Sequence, residues 1–288
     1  MKIKGFIITG IILTILGVGA TAVASTQMDF KEGYPGLFAD PNLEKKEETF
    51  GEIKKISYDG TDENIDIIYG EGENIFTYYE SDTLTYDISY DEELKELSII
   101  QKHSFTFFNF SLSKKATLSI NSSLDELQMK AAAGNVGIKD LTITKADVDV
   151  SAGNLKIENS SISALDLESD AGNVNLYDLT VDSSVFGVKA GNLKIENSKI
   201  TSSVIHSNAG NVNLKDSTFD TVEAKLNAGN LTFNGDILIQ AEFKVDAGNL
   251  KLTLSRPQAS YTMNGEGEGE TIIQYRVSAG NKKIYYGD

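Results

Sequence analysis

The sequence predicts an all-β protein whose central part is a parallel β-solenoid, a single-stranded β-helix of nineteen-residue rungs, preceded by an apolar N-terminal helix for export or anchoring. Three observations carry this prediction. The tripeptide Ala-Gly-Asn recurs with its glycine at Gly134, Gly153, Gly172, Gly191, Gly210, Gly229 and Gly248, every interval being nineteen residues. Equal spacing without an insertion marks stacked repeats. Apolar side chains follow each glycine by two and four residues, as in Leu155 and Ile157 or Leu193 and Ile195, the alternation of a strand with one buried face. Further apolar positions fall nine after the glycine (Ile143, Ile162, Val181, Ile200, Phe219, Leu238) and fourteen after it (Val148, Leu167, Phe186, Ile205, Ala224, Phe243). A unit this short closes no core alone, but stacked units set each inward side chain on its equivalent about 4.8 Å along the axis. An antiparallel meander would not need equivalent residues at one constant spacing.

The elements follow in chain order. Residues 1–24 hold Lys2 and Lys4, then an apolar run ending in Ala22-Val23-Ala24, and read either as a signal peptide or as an uncleaved membrane anchor with its lysines inside the cell. Residues 25–48, with Pro35, Pro41 and no periodicity, read as a tether. In residues 49–115, strand-like runs such as "NIDIIYG" and "LTYDISY" come at irregular spacing and predict degenerate rungs with a cap, which protects the unpaired edge of an open solenoid. The apolar stretch "HSFTFFNFSLS" at His103–Ser113 is expected to cover that end. Residues 116–255 form the regular solenoid. Residues 256–288 bring one more Ala-Gly-Asn at Ala279–Asn281, thirty-two residues after the last, so a C-terminal rung with a thirteen-residue insertion and a cap is expected.

The repeated glycine is read as a structural corner. Glycine tolerates positive φ at a tight bend, and the alanine before it is expected to face inward. Asn135, Asn154, Asn173, Asn192, Asn211, Asn230 and Asn249 would then stack along one corner with their amides bonded to each other. Asp140, Asn159, Asp178, Asn197 and Asp216, six after each glycine, suggest a second polar corner. The outward row Gly137, Lys156, Asn175, Lys194, Asn213, Thr232, Lys251 places most lysines on alternate rungs. Skipping a rung roughly doubles the separation of like charges. Duplication of a two-rung unit would produce the same rhythm.

Composition limits the function. With 42 acidic and 26 basic side chains the net charge is −16, and arginine occurs only at Arg256 and Arg276, which argues against nucleic acid as a partner. Cysteine is absent, which removes disulfides, thiolate metal sites and a cysteine nucleophile.

The export segment, the aromatic β-rich entry region and the AGN rungs resemble an adhesin family, formerly labelled a domain of unknown function, found widely in Gram-positive bacteria. The resemblance covers roughly Phe50 to Asp288 and implies a parallel β-helix, right-handed as family members often are, in the cell envelope; some members are encoded beside envelope-stress signalling systems. It supplies no catalytic residues. The sequence is therefore read as a non-enzymatic extracytoplasmic scaffold, membrane-anchored or secreted, that contacts a cell-surface or cell-wall component or an envelope protein, with no cofactor and no metal. A polysaccharide-acting β-helix enzyme is the alternative, since Asp147 and Asp166, or Glu223 and Glu242, would stack one rung apart. An accessory role in envelope-stress signalling is another. His103 and His206 lie far apart, His206 at an outward position. Thr142, Thr144, Ser161, Ser163, Thr180, Thr201 and Thr218 suggest a hydroxyl array suited to ice or sugar, interrupted by Lys199, Asp182 and Asp220.

Overall fold

Apolar side chains at every second residue, interrupted at fixed places by glycine, asparagine and aspartate, fold among the described residues into one continuous sheet of 19 strands wound as a solenoid. The computed structural model describes residues 43–61, 64–103 and 115–288. The expected export segment, most of the tether and the apolar stretch after His103 lie outside the described residues. Glu44–Glu48, at the end of the expected tether, belong to strand β1 (Glu44–Phe50).

The regular coils are built from β10 (Thr142–Glu158), β11 (Ser161–Tyr177), β12 (Thr180–Glu196), β13 (Lys199–Ala209), β14 (Val212–Ala228) and β15 (Leu231–Ala247). Each runs parallel to the next. Val148, Leu167, Phe186, Ile205, Ala224 and Phe243 stand beside one another in turn. Within a coil the in-and-out alternation slips three times, so the buried side chains group as Leu155 and Ile157, then Ser160 and Ile162, then Leu165, Leu167 and Ser169. Each slip is a bend, and a coil therefore has three faces, taken below as first, second and third in that order. Toward the C-terminal end the core turns aromatic, with the rings of Phe219 and Phe233 6.1 Å apart and those of Phe233 and Phe243 5.8 Å apart.

Two expectations about side-chain direction are corrected. Ala152, Ala171, Ala190, Ala209, Ala228 and Ala247 are exposed, because the chain already turns at the corner and the last inward residue stands two places earlier, at Val150, Ser169 or Val188. Leu238 points outward and is 43% exposed, while Ile237 takes the buried place. The cause is a pair of register shifts: Lys215 and Ser217 face the consecutive Asn234 and Gly235, and Phe219 and Thr221 face Ile237 and Gln240. One residue is lost at the bend and regained as a bulge at Leu238-Ile239.

Below the regular coils the chain doubles back. Strands β2 (Lys55–Gly60) and β3 (Ile65–Tyr69) form a coil under β8 (Leu124–Ala131) and β9 (Asn135–Lys139). Strands β6 (Glu96–His103) and β7 (Ala116–Ile120) form the coil beneath that one. Antiparallel strands then close the end: β5 (Leu84–Asp91) on β6, β4 (Asn74–Glu80) on β7, and β1 on β4. Phe76, Tyr78 and Tyr86 stack across the end of the core at 4.7 to 5.6 Å. The outermost β1 reads Glu-Lys-Lys-Glu-Glu, and an edge so charged discourages addition of a further strand.

At the other end β16 (Leu250–Leu254) opens a coil that β18 (Thr271–Ala279) completes by pairing with β15, and β19 (Lys282–Tyr286) stacks on β16. The insertion between β16 and β18 carries β17 (Tyr261–Met263), which pairs outside β18. Arg256 ties this insertion down. Its Nε donates to Asp236 Oδ1 at 2.8 Å and its Nη2 to Thr271 Oγ1 at 2.8 Å and to the Ile237 carbonyl, with the guanidinium over the Tyr261 ring. Among the described residues no helix is long and apolar enough to cross a membrane.

Candidate functional site

The corners position everything on the outer surface. Gly134, Gly153, Gly172, Gly191, Gly210, Gly229 and Gly248 have φ between 103° and 148°, and a Cβ on Gly191 would stand 1.7 Å from the Gly172 carbonyl oxygen. Both the dihedral and the approach of the next rung require glycine. The following asparagines form a ladder: Nδ2 of Asn154 donates to Asn135 Oδ1 at 2.9 Å, Asn173 to Asn154 at 3.1 Å, Asn192 to Asn173 at 2.9 Å, Asn211 to Asn192 at 3.0 Å, Asn230 to Asn211 at 2.9 Å and Asn249 to Asn230 at 2.8 Å. It extends past the regular repeat, from Asn135 Nδ2 to Asn64 Oδ1 at 2.8 Å and, by a backbone N–H, from Asn281 to Asn249 Oδ1 at 3.1 Å. Each rung bond uses one of the two N–H groups of an amide.

The bend after the first face is made by Asp140, Asn159, Asp178, Asn197 and Asp216, whose φ values lie between 47° and 59°. Asparagine and aspartate are the side chains that tolerate this region best. The residue after this bend is leucine at Leu141 and Leu179 and serine at the other three rungs, a role the sequence reading missed. Ser160, Ser198 and Ser217 are buried, and each Oγ donates to the carbonyl two residues earlier, at 2.7, 2.9 and 2.8 Å, while accepting an N–H from the neighbouring rung. A buried serine that clips two rungs together reads in sequence as an ordinary surface polar residue.

The first face presents the lysine row. Lys156, Asn175, Lys194, Asn213, Thr232 and Lys251 are neighbours on successive rungs. Tyr177 lies between two of the lysines, with the ammonium of Lys194 4.9 Å and that of Lys156 5.7 Å from its ring centroid. Glu196 accepts from Lys194 at 2.5 Å and from Lys215 at 2.6 Å. The Lys194 hydrogen bond, then that of Lys215, holds its carboxyl below the ordinary glutamate range. Where the row reaches Gly137 it borders a groove of about 460 Å³, lined by Asn64, Asp66, Lys115, Gly137, Lys156 and Glu158 among others. A Cβ on Gly137 would meet Asp66 Oδ1 at 2.2 Å, so the Asp66 carboxylate leans across the position that glycine leaves open.

The residues considered for catalysis form two separate carboxylate pairs and two isolated histidines. Asp147 stands beside Asp166 and Glu223 beside Glu242, one rung apart on the third face. Glu242 is paired with Lys244 at 2.7 Å. Among the described residues no group of three or more histidines, aspartates and glutamates is placed to hold a metal. His206 is exposed on the third face beside Gly187, and His103 ends β6 in the N-terminal region. On the second face Thr142, Ser161, Thr180, Lys199 and Thr218 form one row, and Lys199 breaks its run of hydroxyls.

Comparison with known proteins agrees with this architecture. A putative lipid binding protein from Parabacteroides distasonis superposes with a TM-score of 0.54 at 13% identity, over 86% of this chain and 99% of its own. Putative adhesins from Parabacteroides merdae (0.53, 14% identity, 88% and 99% covered) and Bacteroides fragilis (0.51, 17% identity, 86% and 100% covered) are similar in the same way. At such identities the likeness shows the fold. These organisms are Gram-negative Bacteroidetes, so the likeness does not support the Gram-positive placement expected from the sequence. No curated protein matches the chain. The Toastrack DUF4097 profile matches residues 109–186 and again residues 178–275, two overlapping stretches that span more than half of the sequence, and the chain belongs to this family.

Proposed function

We propose that the protein is a non-enzymatic, extracytoplasmic scaffold of the adhesin type, whose solenoid faces hold a component of the cell envelope. One observation carries this reading. The outward rows are kept in register over successive rungs, which makes a long, stiff, polar surface with equivalent groups at a constant pitch, suited to an extended partner. Structures of the same fold named putative adhesins and a putative lipid binding protein are in keeping with contact with a surface. The apolar run of residues 1–24 supports export, ending either in release or in anchoring. A polysaccharide-acting enzyme is the weaker reading, because Asp147 and Asp166 lie exposed on an outer face and Glu242 is already engaged by Lys244 in an ion pair.

The test is co-sedimentation of the purified full chain with isolated cell walls and with anionic vesicles across a salt series. Saturable wall binding that persists at moderate salt is the expected outcome. Absence of binding to both would redirect the reading to a protein partner, sought by crosslinking at the cell surface.

A further inference from the structure

Rows held in register also add their charges, and the faces differ in sign. From the rung of β9 to that of β19, the two outward rows of the first face hold six lysines (Lys139, Lys156, Lys194, Lys215, Lys251, Lys283) and two carboxylates, Glu158 and Glu196. That is an excess of four positive charges on one narrow strip of a chain whose net charge is −16. The third face carries the opposite sign, with Asp147, Asp149, Asp166, Glu168 and Asp170 on two adjoining rungs against Lys145 on the first of them and Lys189 on the rung that follows. Lys156 and Lys194 are two rungs apart, about 10 Å, and Tyr177 braces both from the rung between. The groove at Gly137 continues the strip toward the N-terminal end and adds side-chain amides to it, together with an Asp66 carboxylate that is paired with Lys115.

We propose that the first face binds a linear anionic polymer laid along the solenoid axis. Its carboxylate or phosphodiester groups meet the lysines spaced along the rungs, and its hydroxyls meet the asparagine ladder and the groove at Gly137. This deepens the envelope-scaffold reading and rests on it. The shape of the strip favours a thread over a plane. It is two side chains wide, and its far border is the bend where the exposed Asp140, Asp178 and Asp216 recur every second rung. An anionic membrane pressed against this face would meet those carboxylates, whereas a single chain follows the lysines between them and the asparagines. The face also lacks arginine, the side chain suited to bidentate phosphate recognition in nucleic acids.

The experiment measures binding of the full chain to hyaluronan, which carries one carboxylate per disaccharide, to polyglycerol phosphate, to neutral dextran and to phosphatidylglycerol vesicles. Two variants of equal net charge are compared: Lys156→Gln/Lys194→Gln/Lys215→Gln/Lys251→Gln on the first face, and Lys145→Gln/Lys189→Gln/Lys225→Gln/Lys244→Gln on the third. Binding to one or both acidic polymers and none to dextran is expected, the preferred polymer telling a uronate from a polyol phosphate source. The first-face variant should lose about tenfold or more in affinity, and the third-face variant less than about twofold. Equal losses in both variants, binding to vesicles without binding to polymer, or no polymer binding by the wild type each overturn the proposal. So does association of the chain with itself that the first-face variant abolishes, since that would pair the basic face with the acidic one of a second copy. Circular dichroism of both variants establishes that each is folded. Wild-type wall binding that the first-face variant retains sinks this assignment alone, while loss of wall binding in the wild type sinks the broader reading.

Discussion

Gly191 occupies a place where two demands coincide, a φ of 138° and the Gly172 carbonyl at 1.7 Å from any added Cβ. Gly191→Ala is expected to destabilise by about 3 kcal/mol or more, because either demand alone strains an L-residue, and the midpoint of urea unfolding measures the loss. Glu196 gives a second prediction at this scale. Its carboxyl is held low by Lys194 and Lys215, so its contribution to stability is present above the ordinary glutamate range and is lost as the pH falls through the lower folded value. Carboxyl chemical shifts should place the Glu196 titration below that of an exposed glutamate, and Lys194→Gln should move it up. Residues of this kind were legible to different degrees. The glycines announced themselves by spacing, since only a corner needs the same small residue every nineteen positions. Gly137 was visible only as a gap in a lysine row, because the Asp66 that reaches over it comes from a strand remote in sequence.

A single rung is the element that the pattern specifies best, and its apolar alternation directly marked Leu155, Ile157 and Leu167 as buried. Ile195→Asp places a carboxylate in a fully buried column and should cost about 4 kcal/mol or more, read as a fall in the thermal unfolding temperature. The rung is also a removable unit. Deleting residues 173–191 joins Gly172 to Asn192 and recreates Ala-Gly-Asn, so a cooperatively unfolding protein with one coil fewer is expected. Deleting residues 173–190 leaves one extra residue at the corner, and a slip of one residue turns inward side chains outward, so a broadened transition is expected from the same melting curve. The exception at Leu238 shows why spacing alone misleads. The residue lost at the bend is regained three paired residues later, at Leu238-Ile239, which leaves the glycine interval at nineteen while exchanging Ile237 and Leu238 between core and surface.

At the scale of the whole molecule, the stack depends on its ends, where the sequence was least informative. The fold-back that inserts β2 and β3 between coils made from later residues leaves no local mark, since which strand pairs with which is decided by partners far along the chain. Arg256 is the clearest tie at the C-terminal end. Arg256→Ala should weaken the cap by about 2 kcal/mol, seen as faster amide hydrogen exchange in β18 with β10 to β12 unchanged. The asparagine corner carries a further consequence for the solenoid. From Asn249 down to Asn135, each side-chain N–H is donated toward the N-terminal neighbour, so the amide dipoles align head to tail and polarise one another. The corner has a positive pole near Asn64 and a negative pole near Asn249. A shaft whose rungs look alike thus has an electrical direction, and a long partner lying along it can distinguish one orientation from its reverse.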